Sequence, residues 1–216
     1  MADTNAVASG LAPVLRGHGF RRYGRTFNRE NEAGVTHVVN VQGDKWGGRF
    51  TINVAVAIEE LVVLNHEIGL FVFQRLHPGR LPEVERPRPY VSEPEGQLRA
   101  RLGAICGTDE DRWWPYEPFA SSVAQVCGLI EAYLVPLLSD YANRVGIAER
   151  WLASLTEHGR VGPWQPSTTM DLVALLRGIG RHAEAAAVCR DALAEANGGP
   201  SETAMRWAAE RLGCQD

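Results

Sequence analysis

The sequence predicts an α+β fold, in which an antiparallel sheet of four to five strands is covered on one face by helices and followed by a small all-helical C-terminal extension. Three observations lead to this prediction. Residues 25–60 hold three strand-like segments separated by turn residues, and two of them are rich in Val, Ile and Thr, at residues 36–42 and 50–58. Residues 117–143 carry apolar side chains three and four positions apart. Three further helical patterns follow a stretch with two prolines and two glycines at residues 159–167. We therefore expect an α+β domain over residues 1–143 and a helical extension over residues 144–216.

A helix and a three-stranded meander begin the chain. Residues 5–16 have apolar side chains at helical spacing, and Gly17 and Gly19 supply a stop because glycine readily adopts the left-handed cap conformation. The connections between the following strands contain Gly34 and the Gly47-Gly48 pair, which favour hairpin turns. The three predicted strands are residues 25–30, 35–44 and 49–60.

The middle of the chain gives weaker signals. Residues 61–73 are a short apolar run, which does not separate a strand from a helix. Five prolines between residues 77 and 95 exclude a regular helix or a central strand there. Alternation returns over residues 97–105, which we predict as a further strand, and the helix at 117–143 should kink at Pro136. The remaining predicted helices are residues 147–155, 169–177, 183–196 and 201–212.

The strands separate an apolar face from a polar face. Because side chains alternate along a strand, Phe50, Ile52 and Val54 share one face and Thr51 and Asn53 the other. If neighbouring strands pair, the polar face collects amides, hydroxyls and guanidinium groups that could bind a planar or anionic ligand. The alternative is a polar face that is simply exposed to water. The candidate ligand-binding residues are Asn40, Gln42, Thr51, Asn53, Arg99 and Arg101, with Thr26 and Asn28 beside them.

Metal, redox and known catalytic motifs are missing from the sequence. The four cysteines form no C-x-x-C pair, which argues against a zinc site or a dithiol redox motif. The segment from Asn65 to Gly69 begins like a zinc-protease motif, but Leu70 stands where the second histidine is required. His37 falls on the apolar strand face and is expected to be a core histidine. We therefore predict no cofactor, no metal and no catalytic residue.

Charge and hydropathy restrict the partners. The 22 basic and 26 acidic side chains give a net charge of −4, which argues against nucleic acid as a partner. No unbroken apolar run reaches the roughly 18 residues of a membrane span, and no leader pattern opens the chain. We therefore expect a cytoplasmic protein.

The first half resembles a bacterial family, the domain of unknown function 4304, over about residues 8–140. The resemblance implies an α+β fold and no chemistry, because the family has no assigned function. The segments that carry it are His18-Gly19-Phe20, Arg25-Thr26-Phe27, Val39-Asn40-Val41-Gln42, Phe50-Thr51-Ile52-Asn53-Val54, Arg101-Leu102-Gly103 and Trp113-Trp114.

The C-terminal part is similar to a single tetratricopeptide-type helical hairpin. Gly180-Arg181-His182 stands at the turn of such a hairpin, and Glu184-Ala185 and Ala192-Leu193 stand at its small packing positions. Because about three such units are needed to form a binding groove, we interpret this hairpin as a packing appendage.

These observations favour a non-catalytic binding or interaction module that uses the open polar face of the sheet. Its partner would be a protein or a small anionic ligand. The alternative is an enzyme that holds a small anionic substrate with Arg99 and Arg101. Trp113 and Trp114 are expected to anchor the core, with stacking on a planar ligand as their alternative role.

Overall fold

A six-stranded antiparallel sheet organises the first half of the chain. The computed structural model of the protein describes residues 3–31, 34–78, 80, 89–107, 111–159, 161, 169–196 and 200–214. The strands are β1 (Arg21–Tyr23), β2 (Thr26–Glu30), β3 (Val35–Gly43), β4 (Arg49–Ile58), β5 (Leu98–Arg101) and β6 (Trp114–Pro115). Strands β1 to β5 are adjacent in that order, and β6 pairs with the start of β4.

Helices surround this sheet and fill the C-terminal part of the chain. The helices are α1 (Thr4–Gly17), α2 (Glu59–Leu76), α3 (Leu102–Ile105), α4 (Phe119–Asp140), α5 (Arg144–His158), α6 (Thr169–Gly178), α7 (His182–Glu195) and α8 (Pro200–Arg211). The predicted α+β class is therefore confirmed. Strands β1 and β6, of three and two residues, were not predicted because such short segments show no alternation.

The apolar face of the sheet packs against α1 and α4. The side chains that α1, the sheet and α4 bury in this core include Leu11, Leu15, Phe27, Val39, Val54, Val126 and Ile130. Trp114 belongs to the same core, since it is buried and stacks on Phe50 with ring centroids 6.2 Å apart. The prediction of a core anchor is thus confirmed for Trp114.

His37 is a buried histidine of the apolar face, as predicted. A nitrogen of the Arg29 guanidinium lies 2.9 Å from Nδ1 of His37, and Nε2 of His37 lies 2.9 Å from the Tyr141 carbonyl oxygen. Because the guanidinium can only donate, Nδ1 accepts and Nε2 carries the proton that is donated to Tyr141. Burial, together with the nearby charge of Arg29, lowers the pKa of His37 from 6.5 to about 4. The imidazole is therefore neutral in the folded protein at neutral pH.

The run at residues 61–73 is part of α2. This helix begins directly after β4, with Glu59 and Glu60 in its first turn, where negative charge stabilises a helix. Leu61 and Leu64 are buried one turn apart, which is the spacing of a helix that packs by one face. The predicted strand at residues 49–60 therefore ends two residues early.

The predicted strand at residues 97–105 is only partly correct. β5 pairs with β4 over Asn53 to Val56, and the chain then turns into the short helix α3. Beyond Arg101 the edge of β4 is occupied by β6, so no strand partner is left for residues 102–105. Leu102 enters the core instead, and its carbonyl accepts a hydrogen bond from the backbone of Cys106 at 3.0 Å.

Helix α4 is long and apolar enough to cross a membrane, although no such segment is expected from the sequence. It has 22 residues and an 18-residue window with a mean hydropathy of 1.5, so it could cross a membrane by length and composition. Alanines such as Ala124 and Ala132 raise the mean hydropathy without making an unbroken apolar run. The apolar stripe of α4 packs in the core, where it buries Val123, Val126, Ile130, Leu134 and Leu138.

Helix α4 is locally widened next to Pro136. Residues Ile130–Leu134 form a π-helical turn, and the α-helix resumes at Val135 with Pro136 in its first turn. Proline has no amide hydrogen to donate to the preceding turn, and wider turns relieve that conflict.

The C-terminal helices pack against α2. Phe71 stacks on Trp207 of α8 with centroids 5.2 Å apart, and Glu67 pairs with Arg211 of α8 at 3.2 Å. The Asn65 side chain donates a 2.9 Å hydrogen bond to the buried Asp171 of α6. Helices α6 and α7 lie side by side, and α2 connects them to the sheet.

Candidate functional site

The predicted polar residues lie together on the face of the sheet opposite the core. The strand registers place Thr26 beside Asn40, Asn40 beside Asn53, and Asn53 beside Arg101. Gln42 and Thr51 face each other in the next row. We call these six residues the polar strip: Thr26, Asn40, Gln42, Thr51, Asn53 and Arg101.

The amides of the polar strip are held in fixed orientations and still have free hydrogen-bonding groups. Asn40 Nδ2 donates to the Thr26 hydroxyl at 3.0 Å, and Asn53 Nδ2 donates to Gln42 Oε1 at 2.7 Å. Within the residues that the structure describes, Oδ1 of Asn40, Oδ1 of Asn53 and Nε2 of Gln42 have no protein partner. Thr26, Thr51 and Asn53 are buried, so the predicted open face is closed at these three positions. The free groups of Asn40 and Gln42, which are less buried, are the ones that a ligand can reach without breaking an existing hydrogen bond.

The last part of the proline-rich stretch, with the two residues that follow it, covers the neighbouring part of the same face. This covering segment, residues 89–97, lies over the row formed by Asn28, Val38, Ala55 and Arg99. The Asn28 side chain exchanges two hydrogen bonds of 2.9 Å with the backbone of Val91. Gly96 lies so close to the sheet that a Cβ built on it would be 2.5 Å from the Cβ of Ala55.

Replacing Asn28 by Ala should loosen the covering segment. The change removes both hydrogen bonds to Val91, and we expect a loss of about 1–2 kcal/mol in the free energy of unfolding. Limited proteolysis should cut within residues 89–97 faster in Asn28→Ala than in the wild-type protein, with Asn31→Ala as the control. Unchanged cleavage would show that these hydrogen bonds do not hold the segment.

The far end of the polar strip carries an indole between two guanidinium groups. Trp113 is half-buried, with the guanidinium of Arg49 5.2 Å from its ring centroid and that of Arg101 5.1 Å away. Arg49 is paired with Asp44 at 2.6 Å, and this hydrogen bond lowers the pKa of Asp44. Arg101 is paired with Asp111, whose side chain is 72% exposed. The predicted stacking role is closed to the buried Trp114, and a ligand could stack on Trp113 only beside these two guanidinium groups or in place of one of them.

Arg99 occupies a different environment from Arg101. Its Nε donates to Glu93 of the covering segment at 2.7 Å, and the Glu93 side chain is only 13% exposed. Arg99 thus fastens the covering segment to the sheet. The structure brings five of the six predicted site residues into the polar strip and places Arg99 under the segment beside it.

Sequence reasoning missed three residues at this site. Arg49 and Asp111 reach Trp113 and Arg101 only because β6 pairs with the start of β4 and returns the chain to that edge. Tyr23, on the unpredicted strand β1, stands beside Thr26 and stacks on Tyr90 of the covering segment with centroids 5.4 Å apart. The two-residue strand β6 left no pattern from which these contacts could be read.

The polar strip and the residues at its end offer hydrogen-bonding groups, a positive charge and an aromatic ring. Hydroxyl, amide and guanidinium groups do not change their protonation state near neutral pH. The two carboxylates described at its end, Asp44 and Asp111, are each paired with an arginine. Among the residues with assigned positions, no three histidine, cysteine or acidic side chains are grouped as metal ligands would be.

Comparison with known proteins identifies a family but no function. The family model of a domain of unknown function, DUF4304, matches residues 11–140. Neither the search of curated proteins nor the search of solved structures found a match.

Proposed function

This chain belongs to the DUF4304 family, and we propose that it is a non-catalytic binding module whose polar strip holds a small ligand with a planar hydrogen-bonding part and an anionic group. The observation that supports this proposal is the cross-strand row Thr26–Asn40–Asn53–Arg101. Its amides would bind the polar edge of the ligand, and Arg101 would bind the anion.

The geometry around the row suits a planar ligand. The covering segment borders the row on one side, through the Tyr23–Tyr90 stack. Trp113 lies at the other border, where the backbone carbonyl of Arg112 accepts a 2.9 Å hydrogen bond from Thr51. An aromatic ring beside a row of free amide groups provides a stacking surface and hydrogen bonds together.

The anionic group of the ligand would replace Asp111 on Arg101. Exposed ion pairs contribute only about 0–1 kcal/mol, so exchanging one carboxylate for another costs little. A guanidinium that binds a carboxylate by two parallel hydrogen bonds also fixes the orientation of that carboxylate. Arg101 is held ready for this exchange by its stacking on Trp113.

Titration with orotate, a planar ring that carries amide groups and one carboxylate, tests the proposal by NMR. We expect the side-chain amide signals of Asn40, Gln42 and Asn53 and the indole N–H signal of Trp113 to shift together. Arg101→Gln should weaken binding about tenfold, because it removes a charge-assisted hydrogen bond. Asp111→Asn should strengthen binding, because it releases the guanidinium from its internal partner.

Arg150→Gln is the matched control. Arg150 also pairs with an aspartate, Asp140 at 2.9 Å, and also stacks on an aromatic ring, Tyr141 at 5.4 Å, but it belongs to α5. Equal affinities for the wild-type protein, Arg101→Gln and Asp111→Asn would overturn the assignment of Arg101. Shifts that leave the polar strip unaffected would overturn the site.

The alternative function, an enzyme that uses Arg99 and Arg101 on an anionic substrate, has less support. Arg99 is engaged by Glu93, so an anion would have to release the covering segment to reach it. In addition, the side chains that form the polar strip include no group suited to general acid–base catalysis near pH 7.

A further inference from the structure

A concave surface lies on the polar face, at the opposite end from Trp113. It is an open cleft of about 400 Å³ between the β2–β3 hairpin, the first turns of α2 and Val91 of the covering segment. Its floor is the row Glu30–Thr36–Ala57. The hydrogen bonds between Asn28 and Val91 hold one wall in place. The cleft is therefore built from regular elements and a fastened segment.

The cleft combines apolar walls with two free carboxylates. Val62, Val63 and Val91 supply the apolar walls, and the Val63 side chain is left 54% exposed. Glu30 and Glu59 line the cleft, and neither has an ion pair or a hydrogen-bond partner for its carboxylate among the residues that the structure describes. An exposed valine beside unpaired carboxylates is a surface that a ligand with an alkyl part and a positive charge would cover.

One described cation, Arg144, lies beside Glu59 at the edge of the cleft. A guanidinium nitrogen of Arg144 comes close to Gly34 at the edge of the cleft, but it bonds to Glu60 at 2.6 Å. The Glu59 carboxylate lies close to the same point of Gly34, so the charge of Arg144 acts on it as well. Among the described residues around the cleft, the three glutamates Glu30, Glu59 and Glu60 still outnumber this one cation by two.

We propose that this cleft binds an organic cation in which a primary ammonium group is attached to a short alkyl chain. The ammonium group would donate hydrogen bonds to Glu30 and Glu59, since it has three donors and no acceptor. The alkyl chain would lie against Val62, Val63 and Val91 and remove their surface from water. The proposal does not depend on the ligand of the polar strip, because the covering segment separates the two surfaces.

The test uses 1,5-diaminopentane as the probe and the methyl NMR signals of Val62, Val63 and Val91 as the readout. We expect saturable shifts of these signals at low salt, with a Kd on the order of 1 mM, as is typical of a small ligand with few contacts. Pentane-1,5-diol, which has the same chain without the charge, should bind about tenfold more weakly.

The double variant Glu30→Gln/Glu59→Gln should also weaken diamine binding about tenfold, and Glu131→Gln, on the exposed side of α4, should leave it unchanged. Both cleft glutamates are at the surface, so the fold should tolerate these replacements. The proposal is overturned if the valine methyl signals do not shift, if the diol binds as well as the diamine, or if the double variant binds the diamine as the wild-type protein does. If orotate does not bind to the polar strip, the test of the cleft is still valid, because it uses a different probe and different NMR signals.

Discussion

The free energy of unfolding should fall by about 2 kcal/mol between neutral pH and pH 5 through His37 alone. The cause is the buried position of this imidazole, which is neutral in the folded protein. Its pKa is about 4 in the folded state, against an ordinary value of 6.5. Burial is the main reason for the lower value, and the charge of Arg29, whose guanidinium is bonded to Nδ1, adds to it.

The direction of the effect follows from proton binding in the two states. Between pH 6.5 and about 4, the unfolded chain binds a proton at His37 and the folded protein does not. Acid therefore favours the unfolded state over this range. The contribution of His37 is complete above pH 6.5, declines as the pH falls, and is fully lost below about pH 4.

Urea unfolding at a series of pH values measures this effect, with His37→Gln as the reference variant. Glutamine does not titrate, but it can still donate to the Tyr141 carbonyl and accept from Arg29. Protonation of carboxylates affects both proteins alike. The difference between the slopes of their free energies of unfolding against pH therefore reports on His37. If the free energies of unfolding of the two proteins change in parallel with pH, His37 is not a buried, neutral imidazole in the folded protein.

Gly96→Ala should destabilise the protein by about 2 kcal/mol, because the covering segment lies too close to the sheet for a side chain at this position. The new Cβ would lie 2.5 Å from the Ala55 Cβ and 3.2 Å from the Val56 carbonyl oxygen, which is backbone and cannot rotate away. The backbone of Gly96 has an ordinary φ of −75°, so the effect comes from contact and not from strain.

A second replacement separates this contact from other causes. Ala55→Gly removes the side chain that the new Cβ would meet, so Ala55→Gly/Gly96→Ala should be more stable than the sum of the two single changes predicts. Chemical denaturation of the four proteins gives the coupling energy. Gly69→Ala, at a helical glycine of α2 with no positive φ and no atom within 4 Å of its missing Cβ, is the control for a new methyl group that meets no neighbour. Additive effects of the two changes would show that the segment does not contact β4 as described.

The sequence was sufficient to predict the faces of the sheet. Alternation in residues 35–44 and 49–60 separated Asn40, Gln42, Thr51 and Asn53 from the buried valines, because the side-chain period of a strand is two wherever the strand pairs. The antiparallel registers then placed these residues in neighbouring rows. The apolar stripe of α4 was recognised for the same reason, with a helical period.

Other features depend on contacts between distant segments. The ion pairs of Arg99 and Arg101, with Glu93 and Asp111, form only when the chain leaves the sheet and returns, and no local pattern predicts such pairs. The apolar run at 61–73 lies in a helix that packs against α8 and α6, and these contacts join segments more than 100 residues apart. Neither the cleft nor the covering segment left a periodic pattern in the sequence.

The position of α2 means that helices outside the family match help to shape the acidic cleft. The match ends at residue 140, but α2, which supplies Val62 and Val63, is clamped at residues 65–71 by α6 and α8. Preorganisation of this kind lowers the conformational entropy that a ligand must remove when it binds. If the cleft binds the proposed cation, its affinity will depend in part on the described residues of α6 and α8, which do not themselves line the cleft.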